Sequence, residues 1–382
     1  MRIAMFVDSF HPIVDGAVVA MEISAEGLER RGHEVVVIAP GPQVQTPTKR
    51  KVHYLPSREF KSYPGYRIVI SPSDMLEFLR KERIEIIHSH GLASMGILSL
   101  TAARALKIPH VLTFHTMANE AVKYYSPLPI RQDFMVSLVW AYLRNLLKRP
   151  EVVIAPSAPI RKELLENGVV MKACEVVPTG VDCQKYSPER FDKAFLDRYG
   201  LVGKRVLLHV GRLSMEKRLD VVLEAVAVLR PKVPDLRLLV VGKGPAEQHY
   251  KDLAKKLGVA ERVIFTGFLP DEDMPKAYAS AEILVIASTF ETQGLVVLEA
   301  LASGTPVAGV RYRAIPEFVQ EGKNGCLFEL DSCAEAIQRC LLRADSMMIN
   351  AVSTARDYSI DVCCAKLEKC YERSAQILAD SK

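Results

Sequence analysis

The sequence predicts an α/β protein built from two doubly wound, Rossmann-like domains. Short apolar runs alternate with helical patterns along nearly the whole of the 382 residues. Those runs are apolar at consecutive positions, as strands of a parallel sheet covered on both faces require. One polar stretch, TGVDCQKYSPERFDKA at residues 179–194, interrupts the alternation, which then restarts. A chain of this length exceeds one ordinary core.

In the first half, RIAMFV leads into an amphipathic stretch ending ERRGHE and then VVVIA. EIIHSH, a helix from about Leu92, HVLTF, a long helix from about Asp133 and EVVIA follow. This is strand–helix–strand grammar. In the second half, RVLLHVG precedes the helix LDVVLEAVAVL, then come LRLLVVG, a helix near Glu247 to Leu257, VIFTG and a helix near Met274. EILVIAS, the helix LVVLEALAS and TPVAGV complete that half, and DYSIDVCCAKLEKCYERSAQIL reads as a terminal helix. The boundaries are drawn at 1–185, 186–355 and 356–382.

Composition narrows the class. The chain is 49% hydrophobic and 25% charged, with a net charge of +5. That balance is ordinary for a globular protein and too weak for a nucleic-acid binder. Basic clusters at Lys49, Arg50, Lys51 and at Lys148, Arg149 read as solvated surface. The eight cysteines form no CxxC pair, and Cys363 and Cys364 are adjacent. The start, MRIAMFVDSF, lacks the pattern of a signal peptide. GLASMGILSLTAA is too short to span a bilayer. The expectation is a reduced, cytoplasmic protein with at most peripheral membrane contact.

In open α/β sheets, ligands bind at the carboxyl ends of strands. After the strand ILVIAS, the loop STFETQG leads into LVVLEALAS, which stops at Gly304 and Pro306. The first amides of that helix and its dipole suit a diphosphate, and Gly294 permits close approach. Glu291 and Glu299 could meet opposite ends of an extended ligand, since eight helical residues rise about 12 Å. Carboxylates accept hydrogen bonds from sugar hydroxyls. An acidic residue near a helix start plus a partly exposed helix glutamate is the plainer alternative. After RVLLHV, Gly211 and Arg212 are followed within six residues by Lys217; a planar fork and a compact cation could bracket a diphosphate. In the first half, Gly16 stands beside a helix start after DSFHPIVD. No GxGxxG occurs, and GKGP at 242–245 does not complete one, which argues against a dinucleotide oxidoreductase.

Together these residues resemble the retaining GT-B glycosyltransferases of family 4. The resemblance rests on Glu291 and Glu299, on Gly211, Arg212 and Lys217, on Phe10, Pro12 and Gly16, and on the phrases PTGVD, VGRL and ETQGLVVLEALASGTPV. It covers essentially the full chain. It implies a GT-B fold, two Rossmann-like domains facing a central cleft, with the terminal helix crossing back to the first. The C-terminal domain would bind the nucleotide sugar and the N-terminal domain the acceptor. Arg212 and Lys217 would hold the diphosphate, Glu299 the ribose hydroxyls and Glu291 the donor hexose. Backbone from Thr292, Gln293, Gly294 and Leu295 would line sugar and phosphate, with Gly211 and Gly16 in close approach. The base would lie against backbone near Ile264. His115, in the loop after HVLTF, would face the transferred sugar, so His115, Arg212, Lys217 and Glu291 are the candidate catalytic residues.

Asp15 departs from the Gly-Gly of many members, and a carboxylate beside a diphosphate should turn away. Asp-Gly pairs there occur among lipid-directed members. His88 and His90 share a strand face, but no third metal ligand is spaced nearby. The DED at 271–273 reads as a helix cap. The implied reaction needs neither metal nor cofactor, because Arg212 and Lys217 would neutralise the leaving group.

The acceptor is read from residues 119–150. These combine paired tyrosines, the one tryptophan, apolar helix positions Phe134, Leu138, Tyr142 and Leu146, and the basic Arg144, Lys148 and Arg149. The mixture suits an anionic membrane; a core-facing helix with a solvated basic end is the other reading. The sequence therefore predicts a retaining, metal-independent hexosyltransferase using UDP-glucose or GDP-mannose and a membrane-lipid acceptor. A soluble sugar, inositol phosphate or glycan acceptor, a GT-B sugar-nucleotide epimerase and a non-catalytic sugar-nucleotide binder remain alternatives.

Overall fold

A computed structural model describes residues 1–12, 15–41, 48, 50–59, 67–115 and 132–381. The chain divides into two compact units, Met1–Gly180 with Ile360–Lys382, and Val181–Ser359.

The first unit contains β1 (Arg2–Phe6), α1 (Gly16–Arg30), β2 (Glu34–Pro40), β3 (Lys51–Leu55), the hairpin β4 (Ser57–Glu59) and β5 (Arg67–Val69), and α2 (Met75–Lys81). It continues with β6 (Ile86–Ser89), α3 (Ser94–Leu106), β7 (His110–Thr113), α4 (Gln132–Leu147), β8 (Val152–Ala155), α5 (Ala158–Glu166) and β9 (Cys174–Val176). Seven parallel strands lie in the order β3-β2-β1-β6-β7-β8-β9. The direction of winding reverses between β1 and β6. At that reversal Asp8, just after β1, accepts from the amides of Ala93 (2.8 Å) and Met95 (3.0 Å) at the start of α3.

The second unit contains α6 (Lys193–Arg198), β10 (Arg205–Val210), α7 (Leu219–Leu229), β11 (Leu236–Val241), α8 (Glu247–Lys256), β12 (Val263–Gly267) and α9 (Met274–Ala279). Then come β13 (Ile283–Ile286), α10 (Leu295–Ala302), β14 (Val307–Val310), α11 (Ile315–Phe318), β15 (Gly325–Phe328), α12 (Cys333–Leu341) and α13 (Ala344–Arg356). Its parallel strands run β12-β11-β10-β13-β14-β15 and reverse between β10 and β13. The consecutive apolar positions of the central strands are buried on both faces: all four residues of β13 and of β14 are inside.

The chain enters the second unit at Val181 and leaves at Ser359, where Val181 donates its amide to Tyr358 O at 2.9 Å. The last helix, α14 (Ile360–Asp380), belongs to the first unit and packs on α1. Gly27 allows that packing: a β-carbon there would stand 2.4 Å from Cys364 Sγ. Ile360, Cys364, Leu367 and Tyr371 join the core formed by α1 and one face of the sheet. Charge secures the contact at its edge. Arg31 donates to Glu368 through Nε (2.9 Å) and Nη2 (2.6 Å), and His33 Nε2 lies 2.8 Å from the same carboxylate.

Hydrogen bonding from Arg31 holds the Glu368 carboxyl down to about 2, against the opposing effect of burial. A carboxylate whose folded value is depressed stabilises the fold above its unfolded value and loses that contribution as the pH falls. Glu368→Gln should therefore cost about 1–2 kcal/mol at neutral pH. In urea titrations the difference from wild type should shrink as pH falls from the ordinary carboxylate range toward about 2. A difference independent of pH would assign the effect to packing.

Candidate active site

The loops after β10 and β13 leave the second sheet side by side, at the point where its winding reverses. The β10 loop is stiffened by its neighbour. Leu213 donates its amide to Lys243 O (3.1 Å), and Ala246 donates to Leu213 O (2.9 Å). Gly242 and Gly244 make this possible: β-carbons there would stand 2.0 Å from Gly211 O and 2.2 Å from Leu213 O. The GKG of residues 242–244 is thus a loop-packing device.

Gly211 and the exposed Arg212 begin the β10 loop, and a short 3-10 turn at Met215–Lys217 ends it. Glu216 is buried beneath the turn, accepting from Ser214 Oγ at 2.6 Å, while its carbonyl accepts from the Thr289 amide at 3.3 Å. This ties the β10 loop to the β13 loop. It also delivers Lys217 Nζ to within 2.5 Å of Glu291 Oε1. The two side chains are only 22% and 14% exposed. Burial pushes the Glu291 carboxyl up, but the Lys217 ammonium and the Ser288 hydroxyl outweigh it and hold the group below the ordinary carboxylate value.

Under this pair lies a residue that sequence reasoning passed over. His209, the one polar side chain inside the apolar run of β10, is 2% exposed and lies within electrostatic reach of both Lys217 and Glu291. Its Nδ1 sits 3.3 Å from Val285 O. Burial pushes it down to about 4, so the imidazole is neutral at pH 7. The signal was a histidine interrupting RVLLHV.

Glu291 stands in the loop, as do Thr292 and the buried Gln293; α10 begins only at Leu295. The helical rise between the two glutamates is therefore about 6 Å over residues 295–299, half of the 12 Å expected. Gly294 is in the left-handed region (φ 85°), and a β-carbon would also meet Ile315 Cδ1 at 3.1 Å. As the residue that caps α10 it brings no side chain to occupy the first amides. Glu299 accepts from Tyr278 Oη at 2.6 Å and from the Tyr186 hydroxyl. Burial raises this carboxyl, and the two tyrosines offset only part of that.

Ile264 is the second residue of the edge strand β12, paired with Leu239, three positions short of the strand's carboxyl end. At that end Phe268 is 74% exposed, with Lys243 Nζ 5.7 Å from its ring centre.

The remaining two candidates lie in the first unit. Gly16 is the first residue of α1, and Asp15 occupies that helix start. Asp15 Oδ1 accepts from the amides of Ala17 (2.9 Å) and Val18 (3.0 Å), and Ser9 Oγ donates to Oδ2 at 2.8 Å. The carboxylate turns onto its own helix, so these amides are filled by the chain itself. His115 follows β7, its Nε2 2.8 Å from His90 Nδ1, with the two rings stacked. Burial pushes His115 down to about 4, with Asp15 opposing. His88 has both nitrogens engaged, by Tyr371 Oη (2.8 Å) and Thr113 Oγ1 (2.7 Å). Among the described residues, no group of three His, Cys, Asp or Glu is arranged to hold a metal ion.

Comparison with known proteins gives the family and the fold. Residues 14–185 match the model of Glycosyltransferase Family 4, and residues 193–349 that of Glycosyl transferases group 1. The chain is 30% identical to the alpha-monoglucosyldiacylglycerol synthase of Streptococcus pneumoniae, over 98% of this chain and 83% of that enzyme. It is 31% identical to a GDP-mannose-dependent alpha-mannosyltransferase of Mycolicibacterium smegmatis, over 87% and 85% respectively. Its fold superposes on that of Anabaena Alr3699/HepE, solved in complex with UDP, with a TM-score of 0.77 at 20% identity, covering 97% of this chain and 99% of that one.

The ion pair can be tested apart from any reaction. Lys217→Met leaves a largely buried carboxylate without its cation and should cost about 2–3 kcal/mol. Adding Glu291→Gln should return at least half of that loss in urea unfolding. If the double variant is as unstable as the single one, the pair is not what joins the two loops.

Proposed function

Because the chain belongs to glycosyltransferase family 4 and has the GT-B fold, we propose that it transfers a hexose, with retention and without a metal, from a nucleoside diphosphate sugar to a membrane lipid. The observation that carries this reading is the Lys217–Glu291 pair, set beside the start of α10 at the reversal point of the second sheet. A diphosphate there would meet Arg212, Lys217 and the first amides of α10, a preorganised set of positive charge and dipole. Glu291, held ionised by Lys217, would accept from hexose hydroxyls. Glu299, aligned by Tyr278 and Tyr186, would accept from the ribose. UDP-glucose and GDP-mannose are the favoured donors.

In the retaining route, the bond from the anomeric carbon to the β-phosphate oxygen breaks as the acceptor oxygen bonds to the same face. The acceptor's hydroxyl proton passes to the departing phosphate oxygen, so no protein nucleophile is needed. Arg212 and Lys217 stabilise the charge that develops on the diphosphate, which is where differential binding accelerates the step.

The lipid acceptor is supported by α4. Trp140, Leu143, Leu146 and Leu147 face the interior. Phe134, Leu138 and Tyr142 are 58%, 48% and 38% exposed. Leu146 thus leaves the apolar set expected from the sequence, and the other three form a solvent-facing stripe at four-residue spacing, followed by Arg144 and Lys148. Such a stripe beside basic residues suits an anionic surface. No described helix is long and apolar enough to cross a membrane. Residues 119–131, including the paired tyrosines Tyr124 and Tyr125, lie outside the described residues, as does Lys49.

The activity is tested by incubating purified protein with radiolabelled UDP-glucose or GDP-mannose and diacylglycerol vesicles, with and without EDTA. A chelator-insensitive, α-linked glycolipid is expected. Arg212→Ala should lose about 2–4 kcal/mol of transition-state stabilisation, read as kcat/KM, with folding unchanged. An Arg212→Ala enzyme with full kcat/KM would remove Arg212 from the leaving-group site.

The membrane contact is tested by co-sedimentation. Wild type should pellet with anionic vesicles at low salt and be released at high salt, because exposed charges are screened over about 10 Å at 0.1 M. Phe134→Ser with Leu138→Ser should abolish pelleting and lower transfer to lipid, while calorimetry shows UDP or GDP binding intact. Wild type that stays in the supernatant throughout would favour a soluble acceptor.

A further inference from the structure

Three histidines stand in a row at the carboxyl ends of β6 and β7. The ring centres of His88 and His90 are 4.1 Å apart, and those of His90 and His115 are 5.0 Å apart with planes 12° from parallel. Together with Ser24, Thr113, Thr179, Cys363 and neighbouring residues they line a small cavity of about 20 Å³ within the first unit. His88 is anchored through both nitrogens, by Tyr371 and Thr113. His90 is 4% exposed, and its side chain has one hydrogen bond, between Nδ1 and His115 Nε2; its own Nε2 is buried without a partner.

This arrangement couples the two tautomers. Both rings are neutral at pH 7, since burial lowers each of them. One proton must therefore lie between His90 Nδ1 and His115 Nε2. If His115 Nε2 carried it, His90 would be protonated on Nε2, leaving a buried N–H with no acceptor. If His90 Nδ1 carries it, Nε2 keeps only a lone pair. Buried orphan N–H groups are the rarer defect. The second arrangement also puts the His115 proton on Nδ1, away from His90, and the negative charge of Asp15 acts on His115 in the sense that favours bound protons.

We propose that His90 is a positioning residue: by donating from Nδ1 it holds His115 in the Nδ1–H tautomer, so that His115 acts on the transferred sugar as a hydrogen-bond donor and not as a base. The assignment to sugar rests on the transferase reading above; the tautomer does not. His115 then cannot take the acceptor's proton on Nδ1, in keeping with a route in which that proton leaves with the diphosphate.

Two variants and one spectrum test this. His90→Phe keeps a ring stacked between His88 and His115 but has no nitrogen. His90→Asn keeps an amide donor near the place of Nδ1. In long-range ¹H–¹⁵N spectra of histidine-labelled wild type, His115, assigned by His115→Gln, should show a single Nδ1–H tautomer. In His90→Phe it should become a mixture. In parallel kcat should fall roughly 10- to 100-fold, the scale seen when a partner orienting a functional histidine is removed. UDP or GDP affinity should not change, because the nucleotide contacts lie in the other unit, and His90→Asn should regain most of the rate. An Nε2–H tautomer in wild type overturns the proposal, and this holds even if neither variant folds. So does a His90→Phe enzyme with wild-type kcat, or equal losses of rate and Tm in both variants. The expected tautomer in a protein that transfers no hexose overturns the activity assigned above and leaves the tautomer assignment standing.

Discussion

The contact between Lys217 and Glu291 organises the second unit's binding edge. Two neighbouring strands whose connections leave in opposite directions open a crevice between their loops. Here that crevice is bridged by charge. The buried Glu216 and its bond to the Thr289 amide bring the loops together, and the cation keeps ionised a carboxylate that burial would otherwise neutralise. The Gly211–Leu213 backbone packs against Gly242 and Gly244, so Arg212 emerges from a braced loop. Glu291 sits in the loop before α10, and the buried His209, kept neutral by its burial, lies within electrostatic reach of the pair.

The two units treat a similar feature in opposite ways. Each has a helix whose first amides lie beyond the carboxyl end of a strand. In α1 those amides are taken by Asp15, itself bonded by Ser9. In α10 the corresponding position is glycine. A capped helix start cannot offer the same amides to an anion, because each N–H donates once. The asymmetry supports placing the diphosphate on the second unit. It leaves the first unit with hydrogen-bonding side chains, suited to hydroxyls.

The α4 helix shows why a pattern of apolar residues is ambiguous by itself. Phe134, Leu138, Tyr142 and Leu146 share a four-residue spacing, yet the first three face solvent and the fourth the core. A helix turns 100° per residue, so a four-residue step drifts 40° each time. Over twelve residues the drift reaches about 120°, enough to carry Leu146 to the other side.

Much of this protein was legible in the residues alone. Consecutive apolar runs separated by amphipathic stretches require covered parallel strands, so RIAMFV, RVLLHV and EILVIAS announce two doubly wound sheets without any coordinates. Gly294, Glu291, Arg212 and Lys217 were likewise readable, because a glycine before an apolar helix and cations after a strand are local signals. Tertiary structure alone decided what those groups do to one another. That Lys217 meets Glu291, that Tyr278 and Tyr186 hold Glu299, that Ile264 falls mid-strand while Phe268 reaches the strand end, and that His90 meets His115 all depend on strand order and register. Those are set by packing between residues 21 to 113 positions apart. Sequence spacing records which chemistry is present; the distance between two charges, and so the state of each, exists only once the sheet has closed.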